Sequence, residues 1–222
     1  GLLCNPMLLT LYCKTIPLFR ANANSRFYDF PQAVDGKDDL LRAFFEGLAC
    51  NLYNRSGDLE LLVLHLFVHQ FVLPYLAFQM GEQYRCRYSD IKDGIRKLCG
   101  RVQQTPAVFY SFFQERDLEL HWTRLSDRSD FPDRVRLHLL ENPTVLIGND
   151  LRGQAPGWAF LHQEYQDYCR RKYGVACLAH LLVREGYTAA LPESGLMAVV
   201  SAIRKKLYRC PNLDWFRWAA RE

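Results

Sequence analysis

His65 and His69 stand four residues apart, the spacing that places two imidazoles on one helix face where they can share a metal ion. No cysteine or carboxylate at zinc-like spacing joins them, so they read as satisfied core or groove histidines, and no metal is expected. The run Glu115-Arg116-Asp117-Leu118-Glu119 pairs carboxylates of the kind used in general acid and base chemistry. It falls where a helix should end, and an exposed connector is the simpler reading. Eight cysteines (Cys4, Cys13, Cys50, Cys86, Cys99, Cys169, Cys177 and Cys210) never come closer than eight residues, which excludes a CxxC knuckle. The aromatic cluster Phe109, Tyr110, Phe112 and Phe113 has no adjacent basic stripe and reads as packing rather than as a base-stacking platform. GxxxxGK[ST], GxSxG, HExxH and the Rossmann glycines are all missing, so no catalytic motif lies in this chain.

These side chains sit in a chain of 222 residues and 25.9 kDa, long enough to bury a sizeable core without disulfides or metal. Free thiols in a reducing cytoplasm are therefore expected. Hydrophobic residues at 49% and charged residues at 23% exclude disorder. The net charge of +4 is a mild excess spread along the chain, which does not favour nucleic acid as a partner. Its densest runs, Arg170-Arg171-Lys172 and Arg204-Lys205-Lys206, fall on helix faces. No basic region precedes the apolar start, so no signal peptide is expected. Leu59 to Phe78 carries Glu60, His65, His69, Gln70 and Pro74, too polar for a lipid-facing span and better read as a buried core helix. A first residue Gly1, inside the apolar run Gly1-Leu2-Leu3-Cys4, reads as a chain cut from something longer.

Asn5-Pro6 is a helix start: Asn accepts from orphan N–H groups and Pro at the first helical position loses no hydrogen bond. That helix is expected to run to about Thr15, with a loop from Pro17 to Asp38. Leu40, Leu41, Phe44, Phe45, Leu48 and Leu52 recur at three and four, predicting an amphipathic helix to about Asn54, and Asp58 caps the long apolar helix. Ser89-Asp90 opens a helix to about Val102, Thr105-Pro106 one to about Arg116, and Ser129 or Asp130 caps another. Then Thr144-Val145-Leu146-Ile147 and Trp158-Ala159-Phe160-Leu161 flank turn chemistry, predicting one β-hairpin. Helix is expected again over His162 to Tyr173, broken at Gly174, then over Val175 to Arg184 and Glu193 to Leu207. The fold class is mainly α: a helical bundle, a winged-helix domain with one β-hairpin, then the start of a further helical region.

Two segments stand out as an ordered pair about 150 residues apart. Asn5-Pro6-Met7-Leu8-Leu9-Thr10-Leu11-Tyr12-Cys13 resembles the stretch that opens the helical domain after the ATPase core of NACHT-type signalling NTPases of the STAND class. Trp158-Ala159-Phe160-Leu161-His162-Gln163-Glu164-Tyr165-Gln166-Asp167-Tyr168 resembles the stretch that closes their winged-helix domain. Tyr165 departs from the commoner Phe, and Cys169-Arg170-Arg171 from small residues. The resemblance covers roughly residues 1–175 and implies a helical domain over 1–104, a winged-helix domain over 105–175 and a helical extension over 176–222.

By that likeness, Pro6 matches the proline that packs on the adenine ring, and His162 matches the histidine that reaches the β-phosphate of ADP and locks the inactive state. The P-loop, the acidic Mg²⁺-binding motif and the sensor arginine would lie upstream of Gly1. The chain would then be the lid of an ADP/ATP site, at most part of an ATPase. Its partners would be an upstream ATPase domain of the same polypeptide and, on activation, further copies of itself. The resemblance implies signalling in innate immunity or anti-phage defence. Two rivals make different demands. A self-standing helical scaffold, docking a partner through Leu59–Phe78 and the aromatic segment 106–113, needs Leu59–Phe78 partly exposed as a groove, and a winged-helix nucleic-acid binder needs Arg134, Arg136 and His138 pointing outward. The lid needs the long helix buried and Pro6 and His162 facing one cleft.

Overall fold

A computed structural model describes residues 5–22, 25–81, 83, 85–104, 106–141, 145–149 and 157–184. The expected helix from Glu193 to Leu207, and the turn residues between the two hairpin strands, lie outside them. Helix α1 (Pro6–Asn22) begins as its sequence dictates: Asn5 Oδ1 accepts from the backbone N–H of Met7 at 3.0 Å and of Leu8 at 3.4 Å. It does not stop before Pro17, where a loop was expected. Pro17 is exposed, so the bond it cannot donate is lost on the solvent side, while Leu8, Leu11 and Thr15 hold the inner face. Packing overrides the local breaker.

Helix α2 (Lys37–Ser56) ends at Gly57, whose φ of +64° suits glycine and whose N–H donates to Tyr53 O at 2.8 Å. Asp58 then caps α3 (Leu59–Phe67), accepting from the N–H groups of Glu60 and Leu61 at 2.8 and 3.1 Å. A single π turn (Val68–Val72) joins α3 to α4 (Leu73–Met80). Its cause stands beside it: Pro74 has no N–H for the carbonyl of Gln70, and the Leu73 N–H reaches back to Val68 O. Leu59–Met80 is long and apolar enough to cross a membrane, but 89% of its most apolar window is buried inside the fold, which makes it the core helix.

Strand β1 (Cys86–Arg87) leads into α5 (Tyr88–Gln104), whose inner stripe Ile91, Ile95, Leu98 and Val102 has helical spacing. Gly94 lets α5 approach α4, since a Cβ there would stand 2.9 Å from Leu76 Cδ2. Helix α6 (Pro106–Gln114), then α7 (Glu119–Ser126), which the periodicity did not reveal, and α8 (Phe131–Glu141) follow. Phe67, Phe71, Phe109, Phe113, Trp122 and Phe131 bind these helices in edge and offset ring contacts 4.5 to 5.9 Å apart. Phe109, Phe112 and Phe113 of the aromatic cluster are packing, as expected, while Tyr110 is exposed.

The hairpin forms from β2 (Leu146–Asn149) and β3 (Gly157–Phe160), antiparallel with Leu146 opposite Phe160. On its other edge β3 pairs with β1, Cys86 opposite Trp158, giving a three-stranded sheet of order β1-β3-β2. The sheet thus draws a strand from before residue 104, and one apolar cluster runs from Leu8 to Tyr173. Helix α9 (Gln163–Arg184) lies along α4 and passes through Gly174, where a break was expected. A mid-helix glycine costs about 1 kcal/mol. The neighbouring Tyr173, fully buried against Tyr75 and Phe78, anchors the helix at that point. The chain is mainly α with one small antiparallel sheet.

Candidate functional site

Helices α1 and α9 both pack on α2, and between them lies a cavity of about 670 Å³. Gly47 on α2 keeps its near wall thin, for Leu18 and Thr15 of α1 lie 3.5 and 3.9 Å from where a Cβ would stand. The floor is apolar: Met7, Leu11 and Leu18 from α1 face Phe44 and Leu48 from α2. Tyr165, stacked on Phe44 with centroids 5.2 Å apart, closes the far side. Burial pushes the Tyr165 phenol up to about 12, so it stays neutral.

Pro6 and His162 both line this cavity. Each is positioned by a helix start. Pro6 is the first residue of α1, set by the Asn5 cap. His162 stands just before α9, its carbonyl accepting from the N–H of Tyr165 at 3.0 Å, while the N–H of Leu161 holds the preceding strand end to Val145 O at 2.8 Å. The His162 ring is exposed and meets the edge of Tyr165 at 5.2 Å between centroids. Its nitrogens have no hydrogen-bond partner among the described residues. Lys14 and Asn51 also line the cavity and were not singled out in the sequence. The available signal was the spacing Pro6, Thr10, Lys14, one residue per helical turn on a single face.

The other histidine pair is elsewhere and is arranged for packing. His65 and His69 stack at 4.0 Å between centroids, and His138 from α8 joins them through a 3.0 Å contact between His65 Nδ1 and His138 Nε2, one ring donating to the other. All three are buried, and among the described residues no group of histidine, cysteine or carboxylate side chains is arranged to hold a metal ion. Burial holds His69 down at about 3 and His138 at about 4, with His65 well below its ordinary range.

The carboxylate run is a connector with Glu115 and Asp117 exposed, as expected, but it is not exposed throughout. Asp117 turns through a φ of +55° and is exposed, but Arg116 and Leu118 are buried. Arg116 lies over the Phe112 ring and faces Glu46 of α2, 3.8 Å away. Gln70, in the π turn, donates to Glu46 at 3.0 Å and accepts from Lys172 of α9. Burial pushes the Glu46 carboxyl up while Arg116 and Lys172 pull against it. This is a buried polar clamp joining α2, the π turn, the α6 to α7 connector and α9.

Nor does α8 offer a basic face. Arg134 donates to Glu60 at 2.6 Å and Asp130 at 3.2 Å, Arg136 to Tyr88 Oη at 2.6 Å, and His138 is inside. The conditions set by the nucleic-acid reading are unmet. So is the open groove of the scaffold reading, because the long helix is buried. The described cysteines, Cys13, Cys50, Cys86, Cys99 and Cys169, are free thiols. No protein-family model, curated protein or solved structure matches the chain.

Proposed function

We propose that this chain is the lid of a nucleotide-switched NTPase of the NACHT-like STAND type, closing over an ADP or ATP site whose P-loop and Mg²⁺ ligands belong to an ATPase core. The observation that carries the reading is the cavity that Pro6 and His162 share although they stand at opposite ends of the described chain. Its apolar floor suits a planar base, and Pro6 presents a ring without a competing donor. The open imidazole of His162 suits a phosphate, to which it can donate and beside which it gains charge.

In this reading ADP bridges the lid and the core and holds the switch closed. Exchange for ATP releases the winged unit and permits assembly with further copies, a two-state element biased by the nucleotide. The working compartment is the cytoplasm, in keeping with the free thiols. The test is His162→Ala in a protein that includes the ATPase half. Retained ADP should fall and basal assembly should rise. Unchanged ADP content together with unchanged assembly would remove His162 from the site.

A further inference from the structure

The cavity has a cation that the motif match does not assign. Among its fourteen lining residues there is no Asp or Glu, and Lys14 is the one permanent positive charge. Helix α1 carries no acidic residue in its whole length, so Lys14 has no partner one turn away. Nor does it make an ion pair or hydrogen bond with any described residue. Half-buried cations in this fold are paired, Lys37 with Glu164, Arg134 with Glu60 and Asp130, Arg171 with Asp38, whereas Lys14 is exposed at the cavity rim. Thr10, between Pro6 and Lys14, already donates its hydroxyl to Pro6 O at 2.8 Å. Lys14 is thus the charged α1 side chain that can donate into the cavity.

Position adds to charge. Lys14 lies eight residues beyond Pro6, about 12 Å along the helix axis, comparable with the reach of an extended nucleoside diphosphate from ring to terminal phosphate. We infer that Lys14 is an anion-binding residue of this cavity, acting with His162 to select a ligand that carries a multiply charged phosphate group over its uncharged nucleoside. The inference rests on the nucleotide reading of the same site. A lysine suits the task as a compact point charge on a flexible stem, able to follow the phosphate as the lid moves.

The test is calorimetric titration of a protein that includes the ATPase half with ADP, adenosine and pyrophosphate, for the wild type, Lys14→Met, Lys14→Arg and His162→Ala. Lys14→Met should weaken ADP about tenfold, or about 1.4 kcal/mol. It should leave adenosine unchanged and flatten the salt dependence of ADP binding, and Lys14→Arg should restore most of the affinity. Three results overturn something, and each overturns a different thing. Wild-type ADP affinity in Lys14→Met, with loss in His162→Ala, removes Lys14 and leaves the nucleotide reading standing. Pyrophosphate binding that depends on Lys14, without any preference for ADP, keeps the anion site and removes the nucleotide. Absence of binding by all three probes at millimolar concentration removes both.

Discussion

Imidazoles and cations gather in two regions of this fold, and the regions hold them in opposite ways. Inside, His65, His69 and His138 face one another, and Glu46, Gln70, Arg116 and Lys172 form a chain of contacts across four elements. At the cavity between α1 and α9, His162 and Lys14 are exposed and have no polar partner among the described residues. Burial forces the first arrangement, because an unpaired charge or donor away from water costs several kcal/mol. Exposure tolerates the second, because water can satisfy donors that no side chain reaches. A histidine's spacing in sequence does not separate these cases: the pair with metal-like spacing is packing, and the solitary one faces the cavity.

The comparison can be broken by moving stability and binding independently. The largest effect is expected from Glu46→Ala, which removes the buried anion that faces Arg116 and lies within the field of Lys172. Such a loss costs about 3 to 5 kcal/mol and should be read by urea unfolding. An effect below about 1 kcal/mol would mean that the clamp contributes little to the core.

Acid should act next, through the histidine trio. Their folded values lie below the unfolded value of about 6.5, so the unfolded chain takes up protons first. Stability is therefore full above about pH 6.5 and falls as pH drops toward 4 and 3, the values for His138 and His69. Each imidazole contributes a loss of about 2 kcal/mol between pH 6.5 and 5. Glu46, raised by burial, works in the opposite sense at lower pH. His69→Phe should flatten the fall, and an unchanged acid limb in thermal melts would place the pH dependence elsewhere.

Asp58→Ala gives a yardstick outside both regions. It removes the cap of the helix that carries His65 and His69 and should cost about 1 kcal/mol in the same unfolding measurement. The smallest stability effect belongs to the cavity. His162→Ala should change unfolding by no more than about 0.5 kcal/mol while lowering retained ADP in a protein with its ATPase half. A large stability loss there would make His162 a structural residue, and the contrast between the two regions would collapse.

Local chemistry made much of the helical layout legible. The Asn5 and Asp58 caps, the stop at Gly57, the stripe from Leu40 onward and the two hairpin strands all rest on bonds or periodicities within a few residues. The errors have a common cause. Pro17 and Gly174 stand inside helices because α1 and α9 are held by packing, and α7 went unseen because its buried residues, Trp122 and Leu125, are too few for a periodic signal. Strand β1, two residues long, is a strand only because β3 pairs with it.

The cavity residues divide along the same line. Pro6 and His162 could be named from motif likeness, whereas Lys14 has only its helical spacing from Pro6, and Asn51 has no local signal until α1 and α2 are packed. Likewise Arg116 looks like a solvated connector residue until α2 brings Glu46 within 3.8 Å of it. The sequence by itself determined where most helices begin, which stretch is core and which chemistries have no motif here, since caps, periodicity and spacing act over one or two turns. Only the tertiary structure decided which polar groups meet a partner and which remain open. That depends on contacts between segments more than a hundred residues apart, Lys172 with Gln70 among them, and no local pattern encodes such pairs.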